Sequence, residues 1–430
     1  MLKTSVYYSS GSGDESEEDI IRKTNSEYVL EGTEPARTRS RTKEPESNLR
    51  VEMDYTRPTK TGKIELGLQS RWEKSDGEYI FEDYQPLGNE WLYNDTISNS
   101  LEFRNAMQSV YGTYNGRLGG FEYQAGLRAE YDNRNLTQLT SSESFVYEKL
   151  HAFPSFYITR KLSEKHQLQF TYSRRIQRPG KWDLNPFIEY RGSTNVFYGN
   201  PALRPQFTDG FELNYQYNLK KGFISLETYY RKTNDIITRI SGTEILNGQQ
   251  VFFNTSINGD KDQSLGIELM ANVEPAKWWQ LNLTGNLFRY QLDGEVDGET
   301  VTSISTTWRT NFNSTFIMGK NMRLQLSGFY NGPSNTLQGQ RDGFFVANVA
   351  LRRDMLKKQL TVSLNARDVF STGKFAFLSE GADFYTYNKM RRESPVVTLN
   401  LSYRLNNYKQ AGRRGGEQQE ENGGGMDMGM

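Results

Sequence analysis

The sequence predicts an all-β chain, an antiparallel transmembrane β-barrel of which about sixteen strands are present. Three observations predict it. Apolar and polar residues alternate with period two almost from end to end, which turns one face of each segment to an apolar phase and the other to a polar one. Short and long connections alternate along the chain, as where tight turns lie on one side of a membrane and extended loops on the other. Many of the alternating runs reach ten residues or more. Ten residues at ~3.3 Å each, tilted by ~45°, cross about 23 Å, the height of a barrel's apolar band.

The elements follow in order. A first strand is predicted at Leu2–Tyr8. Leu49, Val51, Met53 and Tyr55 mark the next, and Phe121, Tyr123, Ala125 and Leu127 a later one. Leu168, Phe170 and Tyr172 alternate with Gln169 and Thr171, and Phe211, Leu213, Tyr215 and Tyr217 with Glu212, Asn214 and Gln216. Trp279, Leu281 and Leu283 alternate with Gln280, Asn282 and Thr284. Met322, Leu324 and Leu326, then Leu360, Val362 and Leu364, then Val397, Leu399, Leu401 and Tyr403 complete the series. Tight turns fall near Thr59–Gly62, Gly119–Gly120, Ser163–Lys165, Lys220–Gly222, Pro275–Lys277, Gly319–Asn321 and Met355–Lys357. Long polar loops are expected over 10–47, 74–100, 133–146, 178–205, 240–261, 293–302, 331–343 and 371–392. The first of these holds the acidic patch Asp14–Asp19 and the basic stretch Arg37–Lys43, expected to be solvated loop charge. Aromatic pairs at strand ends, such as Trp278 and Trp279 or Phe329 and Tyr330, suit the headgroup levels of a bilayer, and equally the strands of a soluble core. Residues 1–405 are read as barrel, and 406–430 as a disordered Gly/Met-rich tail with no apolar face.

Composition narrows the chemistry. Among 430 residues, 52 Lys+Arg balance 52 Asp+Glu, so nucleic acid is not an expected partner. Cysteine is absent and only His151 and His166 are present, so neither a thiolate nor a multi-histidine metal site is expected, and no cofactor. Mean hydropathy is -0.76, and no stretch approaches the ~18 apolar residues of a membrane helix. A barrel wall escapes that test, because only alternate residues meet lipid. The start, MLKTSVYYSSGSGDESEED, lacks a basic region followed by an apolar one. A barrel needs export, so the chain is expected to begin inside a longer protein.

One segment is more specific. Residues 172–215 contain Leu184-Asn185-Pro186-Phe187 and then Gly199-Asn200-Pro201-x-Leu203-Arg204-Pro205 before a strand. This resembles the signature region of TonB-dependent receptor barrels, particularly the outer membrane protein β-barrel family that forms the C-terminal part of many such receptors. Gln206 stands where the family usually has Glu. Gly126-Leu127-Arg128-Ala129-Glu130, the stretch from Asn258-Gly259 to Gly266-Ile267-Glu268-Leu269, and Arg367-Asp368-Val369-Phe370 extend the resemblance over about 48–430. It implies a wall of about twenty-two strands in the whole protein, preceded by a signal peptide and a plug that this sequence does not contain. On the residues themselves, Pro201 and Pro205 lack N–H donors and suit a loop and a strand entry. The reading for Asn185, Pro186, Gly199, Asn200, Pro201, Leu203, Arg204 and Pro205 is therefore structural.

The resemblance implies a Gram-negative outer-membrane receptor that takes up a bulky nutrient, here as a plug-less fragment. Its expected partners are outer-membrane lipid, the barrel-assembly machinery, an unidentified nutrient and, given a plug in the full-length protein, the TonB energising complex. Arg174, Arg175 and Arg178 are candidate ligand contacts at the lumen mouth. A passive porin-like or structural barrel is the alternative, and a secreted soluble β adhesin the next. No enzyme is expected: neither histidine sits in a nucleophile arrangement, and no glycine-rich phosphate loop precedes a helix.

Overall fold

The computed structural model describes residues 1–405, except 23, 26, 31, 33, 191–193 and 247; the expected tail lies outside the described residues. Seventeen strands share one antiparallel sheet, and apart from the short Glu90–Tyr93 they form a sixteen-strand wall. The wall strands are β1 (Leu2–Ile21), β2 (Ala36–Pro58), β3 (Gly62–Gln85), β4 (Asn99–Leu118), β5 (Phe121–Gln138), β6 (Glu143–Lys161), β7 (His166–Gln177) and β8 (Gln206–Leu219). They continue as β9 (Gly222–Asn234), β10 (Lys261–Ala276), β11 (Trp279–Val296), β12 (Glu299–Met318), β13 (Met322–Asn331), β14 (Phe344–Met355), β15 (Leu360–Arg367) and β16 (Val396–Tyr403). Each pairs with its successor, so the wall is an up-and-down meander with β1 and β16 at its two edges.

Register fixes the two faces. On β10, β11 and β12 the partners Ala271↔Leu283↔Phe312 and Ile267↔Leu287↔Trp308 share one face. The same face carries Leu66, Leu68 and Val110 on β3 and β4, and Leu213 and Leu226 on β8 and β9. All of these but Ala271, Leu283 and Phe312 are exposed apolar side chains. The opposite face is polar and cross-linked. Tyr111 bonds Asp54, Gln69 bonds Glu52, and Tyr229 donates to Asn286 at 2.9 Å. Leu184 and Leu203 of the connection 178–205 pack on this second face against Leu101, Phe103 and Leu136, so it is the inner one. A single-layer wall has no second sheet to bury its apolar face, which only hydrocarbon can cover.

Aromatics bound the apolar band. Near the tight turns, Trp279 stacks on Phe316 with ring centres 6.1 Å apart. Eight or so residues higher, Tyr172, Phe211 and Tyr230 are register partners across three strands. These are two headgroup levels for rings with an apolar body and a polar edge. The tight turns lie where expected. Gly119 and Gly120, at φ 55° and 83°, make the two-residue reversal between β4 and β5 that only glycine adopts without strain.

The long connections differ from expectation. Much of 10–47 is strand: β1 and β2 stay paired from Leu2↔Tyr55 to Ile21↔Ala36. Asp14 lies opposite Lys43 and Glu18 opposite Arg39, with Arg37 bonding Glu18. The two charge blocks are therefore facing ladders of a solvent-exposed hairpin and not a loop. Opposite charges across a pair stabilise it, and backbone groups pair as readily above the membrane as within it. Likewise β5 and β6 leave only 139–142 unpaired, and β11 and β12 turn at Asp297-Gly298.

Candidate functional site at the mouth of the wall

The segment between β7 and β8 folds back onto the inner face and narrows the mouth. Pro179 supplies no N–H and ends the ladder of β7. One helical turn follows at Lys181–Leu184. Asn185 then turns the chain: its side chain accepts the Phe187 N–H at 3.3 Å, and its carbonyl accepts the Gly199 N–H at 2.6 Å. Gly199 lies so close that an added Cβ would meet the Asn185 nitrogen and the Trp182 carbonyl, each at 2.6 Å. Asn200 bridges Pro201 by accepting the Ala202 N–H at 2.9 Å, and donates to the Ser256 carbonyl at 3.3 Å. The Arg204 N–H donates to Asn258 at 2.8 Å, and its guanidinium pairs with Asp235. Pro205 is fully buried at the entry to β8. Pro186 separates Asn185 from Phe187 inside the first of these turns.

Apolar and ionic contacts fasten this strap. Leu184 and Leu203 are each 1% exposed, and they pack with Leu101, Phe103 and Leu136 on the inner faces of β4 and β5. Arg134, from β5, donates to the Leu203 carbonyl at 3.1 Å. Arg178 bridges two wall carboxylates, Glu130 at 2.8 Å and Asp132 at 2.7 Å. Lys181 reaches Glu44 of β2 at 3.1 Å and the Ser75 hydroxyl of β3 at 3.0 Å, five and four strands along the sheet from β7, which it follows. A reach of that kind requires the sheet to curl around the strap.

The three arginines of the sequence reading part company here. Arg178 is in the strap lock just described. Arg175 is exposed on the inner face, opposite Thr208. Arg174 turns to the outer face instead, where it pairs with Asp209 at 2.9 Å. Neighbours on a strand point to opposite sides, so Arg174 and Arg175 cannot serve one lumen site. The reading missed Glu130, Asp132 and Arg134. Their signal was present as charges at every second position, from Arg128 to Arg134.

Beyond the strap lies a cavity of about 1140 Å³. Gly13, Glu15, Thr42, Glu44 and Tyr79 of the β1–β3 extension line one side. Trp182, Asp183, Glu189 and Phe197 of the strap, with Arg239 and Asn254, line the other. The roof is built from loops. Ile237–Leu246 and Gln249–Asn258 form a hairpin that also pairs with Asn195–Phe197 of the strap. A second small sheet joins Ser334–Thr336, Gly339–Arg341, Lys374–Glu380 and Tyr385–Arg391. Gln338 ties the two together, accepting the Ser241 N–H and donating to the Ser241 carbonyl, both at 2.8 Å. Phe252 and Phe384 meet edge to face at 5.3 Å. Among the described residues no group of three or more His, Cys, Asp or Glu is arranged to hold a metal ion.

Comparisons agree with this architecture. The profile of the outer membrane protein beta-barrel family matches residues 1–403. No curated protein sequence matches. The ferric-catecholate import receptor Fiu from Escherichia coli K12 is similar in fold, with a TM-score of 0.61 at 13% identity, covering 93% of this chain and 61% of Fiu. The copper transporter OprC gives a TM-score of 0.60 at 13% identity, covering 93% of this chain and 61% of OprC. The ferric yersiniabactin uptake receptor FyuA from Yersinia pestis gives 0.55 at 12% identity, covering 83% of this chain and 53% of FyuA. The chain thus spans between about half and three-fifths of the length of these receptors.

Proposed function

We propose, from the premise that the chain belongs to the outer membrane protein beta-barrel family and forms a wall in the outer membrane, that it is the barrel of a TonB-dependent-type receptor importing a bulky nutrient. The observation that carries this reading is the strap. A passive pore needs an open lumen, whereas here the described residues of the strap, 178–190 and 194–205, are fastened to the inner wall by Arg178, Lys181, Leu184 and Leu203, under a roof of interlocked loops. A cavity of about 1140 Å³ below that roof is of the size that encloses a chelate or an oligomeric nutrient. Neighbours that are receptors and transporters of ferric chelates and copper add support by analogy of fold alone. Lipid, the barrel-assembly machinery and the TonB complex are the partners this function requires.

Planar-bilayer conductance of the full-length protein tests the proposal. An importer with the strap seated is electrically silent. Steady conductance from the unaltered protein would instead identify a passive channel.

A further inference from the structure

Strand β6 has a neighbour on both sides along only part of its length. It pairs with β5 without a break from Gln138↔Glu143 to Phe121↔Arg160. With β7 it pairs only from Lys161↔Gln167 to Ser155↔Ser173. Two features part the seam at that point. Across the tight turn the Leu162 N–H donates to the His166 carbonyl at 2.8 Å, and bonding residues alternate along an antiparallel pair. The even-numbered residues of β6 therefore direct their N–H and C=O groups to the β7 side. Pro154 falls in that series and supplies no N–H where the ladder would continue. Beyond Ser173, β7 stays with β8 and leads into the strap. There Arg178 is tied to Glu130 and Asp132 on the inner face of β5, which draws the chain inward and away from the upper part of β6.

Ser144, Val146, Glu148, Leu150 and Ala152 are left with a bare edge. Among the described residues no backbone group bonds to theirs on this side. Their side chains share the outer face and all five are exposed, Val146 at 63% and Leu150 at 72%. Ala152 is ten residues from the turn at Leu162. At ~3.4 Å per residue, tilted by ~40°, that is about 26 Å, the limit of a ~25 Å apolar band, so Leu150, Glu148 and Val146 stand beyond it. Strand edges exposed to water are ordinarily guarded by outward lysines, prolines or bulges. Here the register from 143 to 153 has no bulge, and Lys149 points to the inner face. A row of free donors and acceptors repeating every two residues matches one kind of partner, an extended chain. Glu148 decides which. A two-fold pairing of two copies that sets Val146 against Leu150 also sets Glu148 against Glu148, and like charges directly opposite destabilise a pair. A shift of two residues puts the carboxylate against Val146 or Leu150 instead. Glu148 accepts from the Asn133 amide at 3.0 Å and, among the described residues, has no cationic partner.

We propose that residues 144–152 of β6 are a docking edge for an extended segment of another protein at the cell surface, which adds to the wall as an antiparallel strand. Facing Leu150, Glu148 and Val146, that segment carries an apolar residue, a lysine or arginine, and a second apolar residue at alternate positions. Backbone bonds supply the attachment, and the charge pair at Glu148 sets the register and the choice of partner. The edge belongs to the wall and not to its lumen, so it serves an importer and a passive barrel alike.

The test is the fluorescence anisotropy of a labelled nonapeptide, Ser-Thr-Val-Thr-Lys-Thr-Leu-Thr-Ser, titrated with the full-length protein in detergent. Saturable binding is expected. N-methylation at its valine, lysine and leucine nitrogens removes three bonding donors and should weaken binding about hundredfold, at ~fivefold per hydrogen bond. Replacing the peptide lysine by glutamate should weaken it about fivefold. Leu150→Pro removes a donor that faces the gap and leaves the β5 ladder intact, so it should weaken binding while β6 stays folded. Glu148→Lys, at an exposed position, keeps the test decisive where the proline variant does not fold: the altered protein should prefer the glutamate peptide to the lysine one. The proposal is overturned if the lysine peptide does not bind, if its N-methylated form binds equally well, or if Glu148→Lys leaves the preference unchanged. A dimer in sedimentation that Leu150→Pro dissociates would overturn it too, because the edge would then serve a second copy.

Discussion

Leu283→Arg is the most direct probe of the wall. Leu283 is on the outer face of β11, between Ala271 and Phe312 in register. It stands four residues above Trp279, the aromatic of the turn-side belt. Four residues at ~3.4 Å, tilted by ~40°, place it about 10 Å above that belt, near the middle of a ~25 Å apolar band. Arginine on the lipid face costs ~2–4 kcal/mol at that depth, so about 3 kcal/mol is expected. Leu287, on the same face and 57% exposed, is about 10 Å nearer the outer interface. There the same change should cost only ~1 kcal/mol. Asn282 precedes Leu283 and points inward, where Asn272 and Asn313 flank it in register. Arginine there meets water and polar neighbours, and should stay within ~0.5 kcal/mol of the unaltered protein. Urea-titrated folding of the full-length protein into phospholipid vesicles, followed by tryptophan fluorescence, measures all three. The reasoning is refuted if Leu283→Arg and Asn282→Arg differ by less than ~1 kcal/mol, or if the cost at Leu287 exceeds that at Leu283.

Three further outcomes are expected. Arg178→Ala leaves Glu130 and Asp132, 8% and 3% exposed, buried without their shared partner; it should destabilise the strap by about 2–3 kcal/mol, less than a fully buried pair because Arg178 is part-exposed, seen as faster amide exchange over 178–205. Gly199→Ala drives a methyl against three backbone atoms that cannot rotate away, and a loss near the upper end of ~1–3 kcal/mol should appear as easier proteolysis of the same segment; wild-type proteolysis rates would contradict the close packing. Burial pushes the Asp368 carboxyl up, but the Gly373 and Thr372 N–H groups, the Ser394 hydroxyl and Arg391 outweigh it and hold it below the usual range. Its contribution is therefore complete above the unfolded pKa of ~3.9 and lost as pH falls through the folded value. Asp368→Asn should weaken the turn over 368–373 at neutral pH and remove its acid sensitivity, which amide exchange at a series of pH values reads out; unchanged acid sensitivity in the variant would show that another group is responsible.

The wall was legible because its physics is local. Which side chains face hydrocarbon follows from alternation along each strand, and register cannot slip by one without exchanging the faces. Leu281 and Leu283 against Asn282 needed no neighbour to be assigned. Two features were written in the sequence and went unread. Asp297-Gly298 is a strong hairpin signal, which marks the expected loop 293–302 as two strands and a turn. The opposed blocks Asp14–Asp19 and Arg37–Lys43, set symmetrically about their midpoint, marked a second hairpin.

The strap and the roof belong to another class of information. Lys181 meets Glu44 across 137 positions, and Gln338 meets Ser241 across 97. No periodicity along the chain relates such pairs, because their proximity depends on how far the whole sheet curls and on how the loops pack inside the curve. By itself the sequence determined the strand count, the two faces and the tight-turn side, each set by nearest-neighbour geometry. Only the tertiary structure decided which polar side chains close the mouth and which loops interlock over it, since both follow from curvature accumulated over many strands.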